Sequence, residues 1–307
     1  MTQVMTVTGH VEAASLGHCQ VHEHLFVART PAGDSNPVLC INDEALSAVE
    51  LQDYAALGGD AVVDCQPVGA GRDLSALQHM SLASGVKIIA VTGYHLPGFY
   101  DADHWIFSDG KEVLRNRFIS ELTEGVAVGD SIVFPGAVKA AISKDGPSGR
   151  YETCLRAAAG AAAQAIVPLI LHTECGVGAV EAVGICEQEG LDPARIAVCH
   201  VDRQATDYAP HEAVARTGAY LEYDTIARYK YHDDASEVAL IRHMLELGYE
   251  DSLLLSLDTT SARLRSYGGT PGLGYILREF LSMLAEAGMT ESQLHTITQV
   301  NPRLLFE

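Results

Sequence analysis

The sequence predicts a (β/α)8 TIM barrel, which is a closed barrel of eight parallel strands surrounded by helices. Three observations favour it: eight short apolar runs recur along the 307 residues, amphipathic segments separate them, and no G-x-G-x-x-G motif follows the first run. The last observation counts against the competing arrangement, a doubly wound open sheet that binds a dinucleotide. Because α/β barrels of this length are often one unit, we predict a single domain over residues 1–307.

The predicted strands are rich in Val, Ile and Leu, as is typical of parallel strands that are covered on both faces. In chain order they are QVHEHLFV at 20–27, DAVVDCQPV at 60–68, KIIAVTGYH at 87–95, GAVKAAIS at 136–143, VPLILHTE at 167–174, RIAVCHVD at 195–202, AYLEYDT at 219–225 and SLLLSLDTT at 252–260.

The predicted helices lie between those strands and carry apolar residues at helical spacing. Several end in Gly, which readily takes the left-handed conformation that follows many helices. In chain order they are 42–57, 73–84, 111–125, 150–165, 178–190, 209–218 and 235–248, with two further segments, 272–288 and 290–306, after the eighth strand.

The charge balance restricts the class of partner. The chain has 20 Lys and Arg against 40 Asp and Glu, a formal net charge of −20. This charge repels phosphate backbones and anionic lipids, so we expect a small-molecule substrate and no nucleic-acid or membrane partner. The sequence has no signal-peptide pattern, no apolar window of membrane-spanning length and no C-x-x-C pair, so we expect a cytoplasmic location. The sequence does not determine the oligomeric state, and a homodimer is possible.

Polar side chains stand at the ends of several predicted strands, where the active sites of such barrels lie. They are His22, His24, Lys139, His172, His200 and Asp258. An H-x-H pair alone is a weak signal, but all six positions would meet at one rim. Four imidazoles and a carboxylate exceed the ligands that one zinc ion takes, so we predict two divalent ions. Zinc is the expected metal, and manganese or cobalt can use the same ligands.

Lys139 does not fit a metal site in its ammonium form, because that form has no lone pair. Addition of carbon dioxide to the neutral amine would give a carbamate, which can bridge two metals. Alternatively, Lys139 could form a Schiff base, as in a lyase, but that alternative gives the histidines no purpose.

These motifs together resemble the phosphotriesterase family of the amidohydrolase superfamily. The resemblance rests on VHEHLF, AVKAAI, LILHTECG, AVCHVDR, LLLSLDTT and the terminal NPRLLF, in order from about residue 9 to residue 306. It implies that His22, His24 and Asp258 hold the more buried metal and that His172 and His200 hold the more exposed one. Carboxylated Lys139 and a hydroxide would bridge the two ions.

The predicted reaction is hydrolysis. Two dications lower the pKa of a bound water, so that a hydroxide exists at neutral pH and attacks a polarised carbonyl or phosphoryl group. Asp258, the predicted catalytic residue, would take the proton and pass it to the leaving group. The family's members include phosphotriesterases, acyl-homoserine lactonases and sugar-lactone hydrolases. The stretch TGYHLPGFYDADHWIF at 92–107 is similar to a loop of a branch that acts on phosphorylated sugar lactones.

We therefore predict a lactonase for a small sugar lactone, with or without a phosphate. Tyr94 is predicted to stabilise the lactone oxygen, while His95 is expected to shape its loop. The loops after strands seven and eight often bind phosphate in barrels, and here they carry a set of cations and a tyrosine. The predicted substrate contacts in these loops are Lys230, Arg263, Arg265 and Tyr267.

Other interpretations stay open on the sequence. The loop cations could pair with nearby acids and not with a substrate. The same metal centre could serve a phosphotriesterase or an acyl-homoserine lactonase, and the barrel could be a binding protein without turnover. The Schiff-base lyase that uses Lys139 belongs to a different class of enzyme.

Overall fold

A computed structural model describes residues 2–307. Eight parallel strands form one sheet that curves into a nearly closed barrel, with helices around it, which confirms the predicted TIM barrel. In chain order the strands are His18–Glu23, Gly59–Asp64, Lys87–Gly93, Ala137–Ala141, Leu169–His172, Ile196–Cys199, Tyr220–Tyr223 and Leu253–Leu255. We refer to them as the first to the eighth barrel strand.

The helices alternate with the strands, as the apolar spacing predicts. The α-helices are Pro31–Ser35, Glu44–Ala56, Leu74–Ser84, Lys111–Thr123, Arg150–Ala165, Ala179–Gln188, Ala209–Ala215, Asp234–Glu246, Leu281–Glu286, Glu291–His295 and Asn301–Phe306. Two π-helical turns, Ile276–Phe280 and Thr296–Val300, lie within the two segments that follow the eighth strand. The short 3-10 helices are Ala13–Ser15, Pro37–Leu39, Pro97–Phe99, Trp105–Phe107, Pro193–Arg195, Val201–Arg203, Glu250–Ser252, Ser261–Arg263 and Arg265–Tyr267.

Two antiparallel hairpins add to the barrel, and the sequence reasoning did not predict either of them. Gln3–Thr6 pairs with Gly9–Glu12, and Val126–Val128 pairs with Ser131–Val133. Each strand has only three or four residues, which is too short for a clear alternation of polar and apolar residues.

The side chains of the barrel strands divide between two apolar layers. Ile89 and Val91 pack inside the barrel, while Ile88 and Ala90, on the same strand, pack between the sheet and the helices. Such burial on both faces explains the nearly continuous apolar runs of the sequence. It also makes each polar residue at a strand end conspicuous, because it lies on an otherwise apolar element.

The barrel closes between its first and eighth strands through one backbone hydrogen bond, from the Asp258 N–H to the His22 carbonyl at 3.1 Å, and through several side-chain contacts. The Glu23 carboxylate accepts hydrogen bonds from the backbone N–H groups of Leu257, at 2.8 Å, and Thr259, at 3.2 Å. The backbone N–H of His22 donates to Ser256 Oγ at 3.0 Å. The pairing of the first strand with the second also shifts register between Gln20 and Glu23, and such bulges redirect side chains near active sites. These contacts hold the two ends of the sheet together where the polar residues lie.

Candidate metal centre and adjoining cavities

The six predicted ligands meet at the carboxyl ends of the barrel strands. Lys139 Nζ lies 2.9 Å from His22 Nε2, and His200 Nε2 lies 2.9 Å from His172 Nδ1. The rings of His22 and His200 have centroids 4.9 Å apart, which connects these two pairs.

The remaining two predicted ligands lie against the same cluster. His24 Nε2 is 3.5 Å from Asp258 Oδ1, and one ligand atom from each of His22, His24 and Asp258 lies within 4.8 Å of the others. The structure therefore brings together all six side chains that were predicted as ligands from their positions at strand ends, although they come from five different strands or the loops that follow them.

Two of these residues have a backbone conformation that is rare for residues other than glycine. The φ angle is +66° at His200 and +48° at Asp258. Non-glycine residues with positive φ cost free energy and occur where the surrounding structure and the function of a site require them. His200 directly follows the sixth strand and Asp258 lies three residues after the eighth, so both conformations occur where the chain leaves the barrel wall.

Asp224, at the end of the seventh strand, orients two of the histidines. Its Oδ2 lies 2.7 Å from His22 Nδ1, and its Oδ1 lies 2.6 Å from His200 Nδ1. Burial alone would raise the pKa of Asp224, but the contacts with His200 and His22 outweigh it and hold the pKa well below its usual value. The ionised carboxylate accepts both Nδ1–H groups and leaves the lone pair of each Nε2 facing the centre.

Three of the histidines, His22, His172 and His200, are held in their neutral form. Burial, together with the nearby Lys139, lowers the pKa of His22 to about 4, and burial holds the pKa of His200 well below its usual value. The pKa of His172 is also lowered, mainly by burial. A neutral imidazole has the free lone pair that a metal ligand needs.

The contact between His172 and His200 indicates a place for a cation. Glu174 Oε1 lies 3.2 Å from His172 Nε2, and the hydrogen bond with His172 lowers the pKa of Glu174, so the carboxylate is ionised and accepts the Nε2–H. His172 Nδ1 then carries a lone pair, as His200 Nε2 does. Two lone pairs that face each other at 2.9 Å repel unless a cation or a proton lies with them. The donor set therefore suits a divalent ion bound by nitrogen.

Asp258 lies between the histidines and two arginines. Arg228 Nη1 is 2.8 Å from Asp258 Oδ2, and Arg203 Nη2 is 3.7 Å from the same atom. Burial alone would raise the pKa of Asp258, but the Arg228 guanidinium and the hydrogen bond with His24 hold it well below the usual range. Asp258 is therefore ionised at neutral pH, which suits both a metal ligand and a proton acceptor.

An inner cavity of 210 Å³ opens above these residues. His95 lines it: its ring stacks on Phe99 at 4.3 Å between centroids and meets the His172 ring edge-on at 5.2 Å. Tyr94, which was predicted to contact the lactone, does not line this cavity. Its hydroxyl is buried and donates to the carbonyl of Ala141 at 2.7 Å. The alternation of side chains along the third strand turns Tyr94 toward the helices and His95 toward the site.

An outer cavity of 650 Å³ adjoins the inner one, and four residues line both: Leu39, Arg228, Lys230 and Thr260. Of the predicted substrate contacts, Lys230, Arg263 and Arg265 line the outer cavity. The Arg263 guanidinium is buried and donates to the carbonyls of Ile226, at 2.6 Å, and Ala227, at 3.0 Å, so it holds the loop after the seventh strand.

Tyr267 lines neither cavity. Its hydroxyl donates to the carbonyl of Asp43 at 2.7 Å and lies 2.9 Å from Ser47 Oγ, so it fastens its loop to the helix Glu44–Ala56. Tyr267 does lie on the loop after the eighth strand, but the prediction that its side chain contacts the substrate is not supported by its position. Asp224 and the contact of Arg228 with Asp258 were not predicted from the sequence. His95 was expected to shape its loop, and the structure places it in the wall of the inner cavity. For Asp224 a signal existed, because it too ends an apolar strand.

The fold and its rim of histidines and carboxylates define the class of the protein as a (β/α)8-barrel enzyme with its site at the carboxyl ends of the strands. The chain belongs to the phosphotriesterase family, whose sequence model matches residues 2–306. The resemblance drawn from the sequence is thus confirmed, and the protein is a lactonase- or phosphotriesterase-like hydrolase of a metal-dependent family that acts on small molecules. Within residues 2–307 no helix is both long enough and apolar enough to span a membrane.

Several relatives have named activities. A phospho-furanose lactonase from Mycoplasmopsis synoviae is 28% identical, covering 97% of this chain and 90% of that protein. An N-acetyltaurine hydrolase from Rattus norvegicus is 30% identical, covering 98% of this chain and 97% of that protein. Among solved structures, a lactonase from Listeria monocytogenes superimposes with a TM-score of 0.93 at 26% identity, covering 100% of this chain and 99% of that chain.

Proposed function

We propose that this protein is a binuclear metal-dependent lactonase that opens a small lactone bearing an anionic group, such as a sugar lactone phosphate. The observation that carries the proposal is the position of an inner cavity of 210 Å³, with histidines and Asp258 in its wall. Two cations lie at its border with the outer cavity: Arg228, which pairs with Asp258, and Lys230, which has no ion pair within residues 2–307. In a chain with a net charge of −20, cations at that border favour an anionic substrate.

The side chains present suit two divalent ions, with zinc as the expected metal. His22, His24 and Asp258 would hold one ion, and His172 and His200 would hold the other. Lys139, fully buried with its Nζ 2.9 Å from His22 Nε2, would act as a carbamate between the two. When bound, two such ions would polarise the substrate's carbonyl group and supply a water that is deprotonated at neutral pH.

The chain's own residues would carry out the other parts of the reaction. Asp258, ionised and within reach of His24, would accept the proton of the attacking water and return it to the alkoxide that leaves as the ring opens. Lys230, which forms no ion pair with a carboxylate in the described chain, would attract the anionic group of the substrate. Its ammonium lies 4.6 Å from the centroid of the Tyr231 ring, a contact that keeps it near the border of the two cavities.

A second candidate function is hydrolysis of an amide that bears a small anionic group. It is favoured by the relatives named N-acetyltaurine hydrolase, since N-acetyltaurine combines an amide with a sulfonate. The same cations would hold the sulfonate, and the same centre would act on the amide carbonyl. Schiff-base chemistry at Lys139 has less support, because the amine is fully buried beneath the histidines.

A substrate panel on metal-loaded protein tests the proposal. It contains neutral aldonolactones, the same lactones with a phosphate, an acyl-homoserine lactone, a neutral phosphotriester and N-acetyltaurine. We expect the phosphorylated lactones to give the highest kcat/KM, by about 10-fold or more over their neutral counterparts. Turnover of the phosphotriester or of N-acetyltaurine alone would replace the proposal by the corresponding alternative.

A further inference from the structure

Two guanidinium groups of the outer cavity have no acidic partner. Arg265 and Arg278 line the outer cavity but not the inner one. Over residues 2–307, neither forms an ion pair, whereas Arg228, at the border of the two cavities, pairs with Asp258. In a chain with twice as many acids as bases, the wall of the outer cavity carries one acid, Glu279, and five cations, which are Arg228, Lys230, Arg263, Arg265 and Arg278. This local excess of positive charge favours an anion that is not part of the chain.

Arg278 was not among the residues predicted from the sequence. It lies on the π-helical turn Ile276–Phe280, after the eighth strand, and its Nη1 is buried with no hydrogen-bond partner among residues 2–307. A Cβ added at Gly274 would come within 2.5 Å of Leu57 Cδ1 and 3.3 Å of Arg278 Nη2, so this glycine leaves room for both side chains. Because Arg278 also lines the outer cavity, an oxyanion bound there would give its guanidinium a charge-assisted contact.

The cations occupy two depths. Arg228 and Lys230 line both cavities, whereas Arg265 and Arg278 line the outer one alone. A small lactone at the centre, with one anionic group at the border, would occupy the inner cavity. The outer cavity, at 650 Å³, is about three times as large, and it would still be empty.

We propose that the outer cavity binds a second anionic group of the substrate, through Arg265 and Arg278. This inference rests on the proposed function and narrows its substrate class to esters, lactones or amides with two oxyanion groups at different distances from the reacting carbonyl. Guanidinium groups suit this role because their paired N–H donors match the oxygens of a phosphate, sulfonate or carboxylate. Arg278 is then a residue that determines specificity, and Glu279, which also lines the cavity, limits how much negative charge it accepts.

The test uses calorimetric titration of the zinc-loaded protein with α,ω-alkane bisphosphonates of increasing chain length. Alkyl monophosphonates of the same lengths are the reference ligands. We expect one range of lengths at which the bisphosphonate binds at least about 10-fold tighter than its monophosphonate, because a second charge-assisted contact forms. Metal content measured after each titration checks that the ligands leave the zinc in place.

Variants locate the second contact. Arg278→Met and Arg265→Met should each remove most of the gain in affinity for the bisphosphonate and leave monophosphonate binding unchanged. The matched control is Arg242→Met, because Arg242 is exposed on the helix Asp234–Glu246 and pairs with Glu246 within its own helix. Equal affinity for bisphosphonates and monophosphonates at every length would overturn the inference, as would a gain that survives both variants.

This outcome is distinguishable from failure of the proposed function. Hydrolysis of lactones with one anionic group needs the inner cavity and not the outer one. If the protein hydrolyses those lactones but binds bisphosphonates no tighter than monophosphonates, only the second anion site is wrong. If it binds bisphosphonates tighter but hydrolyses no lactone, the second anion site is supported and the proposed lactonase activity is wrong.

Discussion

The carboxylate of Asp224 accepts a hydrogen bond from His22 Nδ1 at 2.7 Å, and both side chains are fully buried. The other oxygen of the same carboxylate accepts from His200 Nδ1 at 2.6 Å. His22 and His200 are predicted to bind different ions, so a single carboxylate fixes the ring orientation and the protonation of one ligand in each site. Carboxylates that orient metal-binding histidines fix the tautomer and the ring orientation and make the ligand nitrogen more basic, so they contribute to metal affinity.

Asp224→Asn should lower the affinity for both ions by about 10- to 100-fold. The substitution removes the negative charge that strengthens both hydrogen bonds, and the NH2 group of the amide, itself a donor, leaves one Nδ1–H without an acceptor. Competition with a chelator of known affinity measures the change, and Asp53→Asn, at an exposed position on the helix Glu44–Ala56, is the control. Loss of affinity for one ion with the other unchanged would contradict a shared role.

Lys139→Ala should lower metal content and reduce kcat/KM by at least about 100-fold, because it removes the proposed bridge. A short carboxylic acid such as propionate should restore part of the activity by replacing the carbamate, while bicarbonate should have no effect on this variant. Lys144→Ala, at an exposed loop position, is the control. A Lys139→Ala variant with the wild-type rate would exclude the carbamate bridge.

Tyr94→Phe and His95→Phe should have opposite consequences. Tyr94→Phe removes the buried hydrogen bond to Ala141 and should cost about 1 kcal/mol of unfolding free energy, with kcat/KM unchanged. His95→Phe changes the wall of the inner cavity, so it should change kcat/KM more than stability. Chemical denaturation and steady-state kinetics on both variants measure these effects. If Tyr94→Phe changed kcat/KM more than His95→Phe, Tyr94 and not His95 would be the substrate contact.

His18, at the amino-terminal end of the first barrel strand, should make stability depend on pH. Burial lowers its pKa to about 4, whereas in the unfolded chain it titrates near 6.5. Below pH 6.5 the unfolded state therefore binds more protons, so stability falls as the pH falls toward 4. Between pH 7 and pH 4, the free energy of unfolding should fall by about 3 kcal/mol more in the wild type than in His18→Gln, as chemical denaturation at each pH would measure. The control is His79→Gln, at an exposed histidine, whose free energy of unfolding should fall as much as that of the wild type. An equal fall in His18→Gln and the wild type would contradict the prediction.

Much of the architecture is predictable from the sequence because burial on both faces makes each parallel strand a short apolar run. A polar residue such as His172 or Asp258 at the end of such a run then identifies the rim of the barrel. The contacts of Asp224 could not be predicted in the same way, because its partner His22 lies 202 positions away. They depend on how the first and seventh strands are placed in the closed barrel.

The direction of individual side chains was the less predictable part. Tyr94 and His95 are neighbours on one strand, so the choice between them depends on the register by a single residue. The third strand pairs with the fourth as Gly93 with Lys139, which places His95 above the site. Tyr267 faces a helix for a similar reason, since its hydroxyl meets Asp43, which is 224 positions away. Such long-range contacts decide what a loop residue does.

Metal content per chain tests the central claim most directly. Elemental analysis of the purified protein, before and after chelation and again after reloading with zinc, should give two ions per chain, with activity lost and regained together with the metal. The six converging side chains then serve one binuclear centre. Full lactone hydrolysis by a chain from which all metal has been removed would contradict the account.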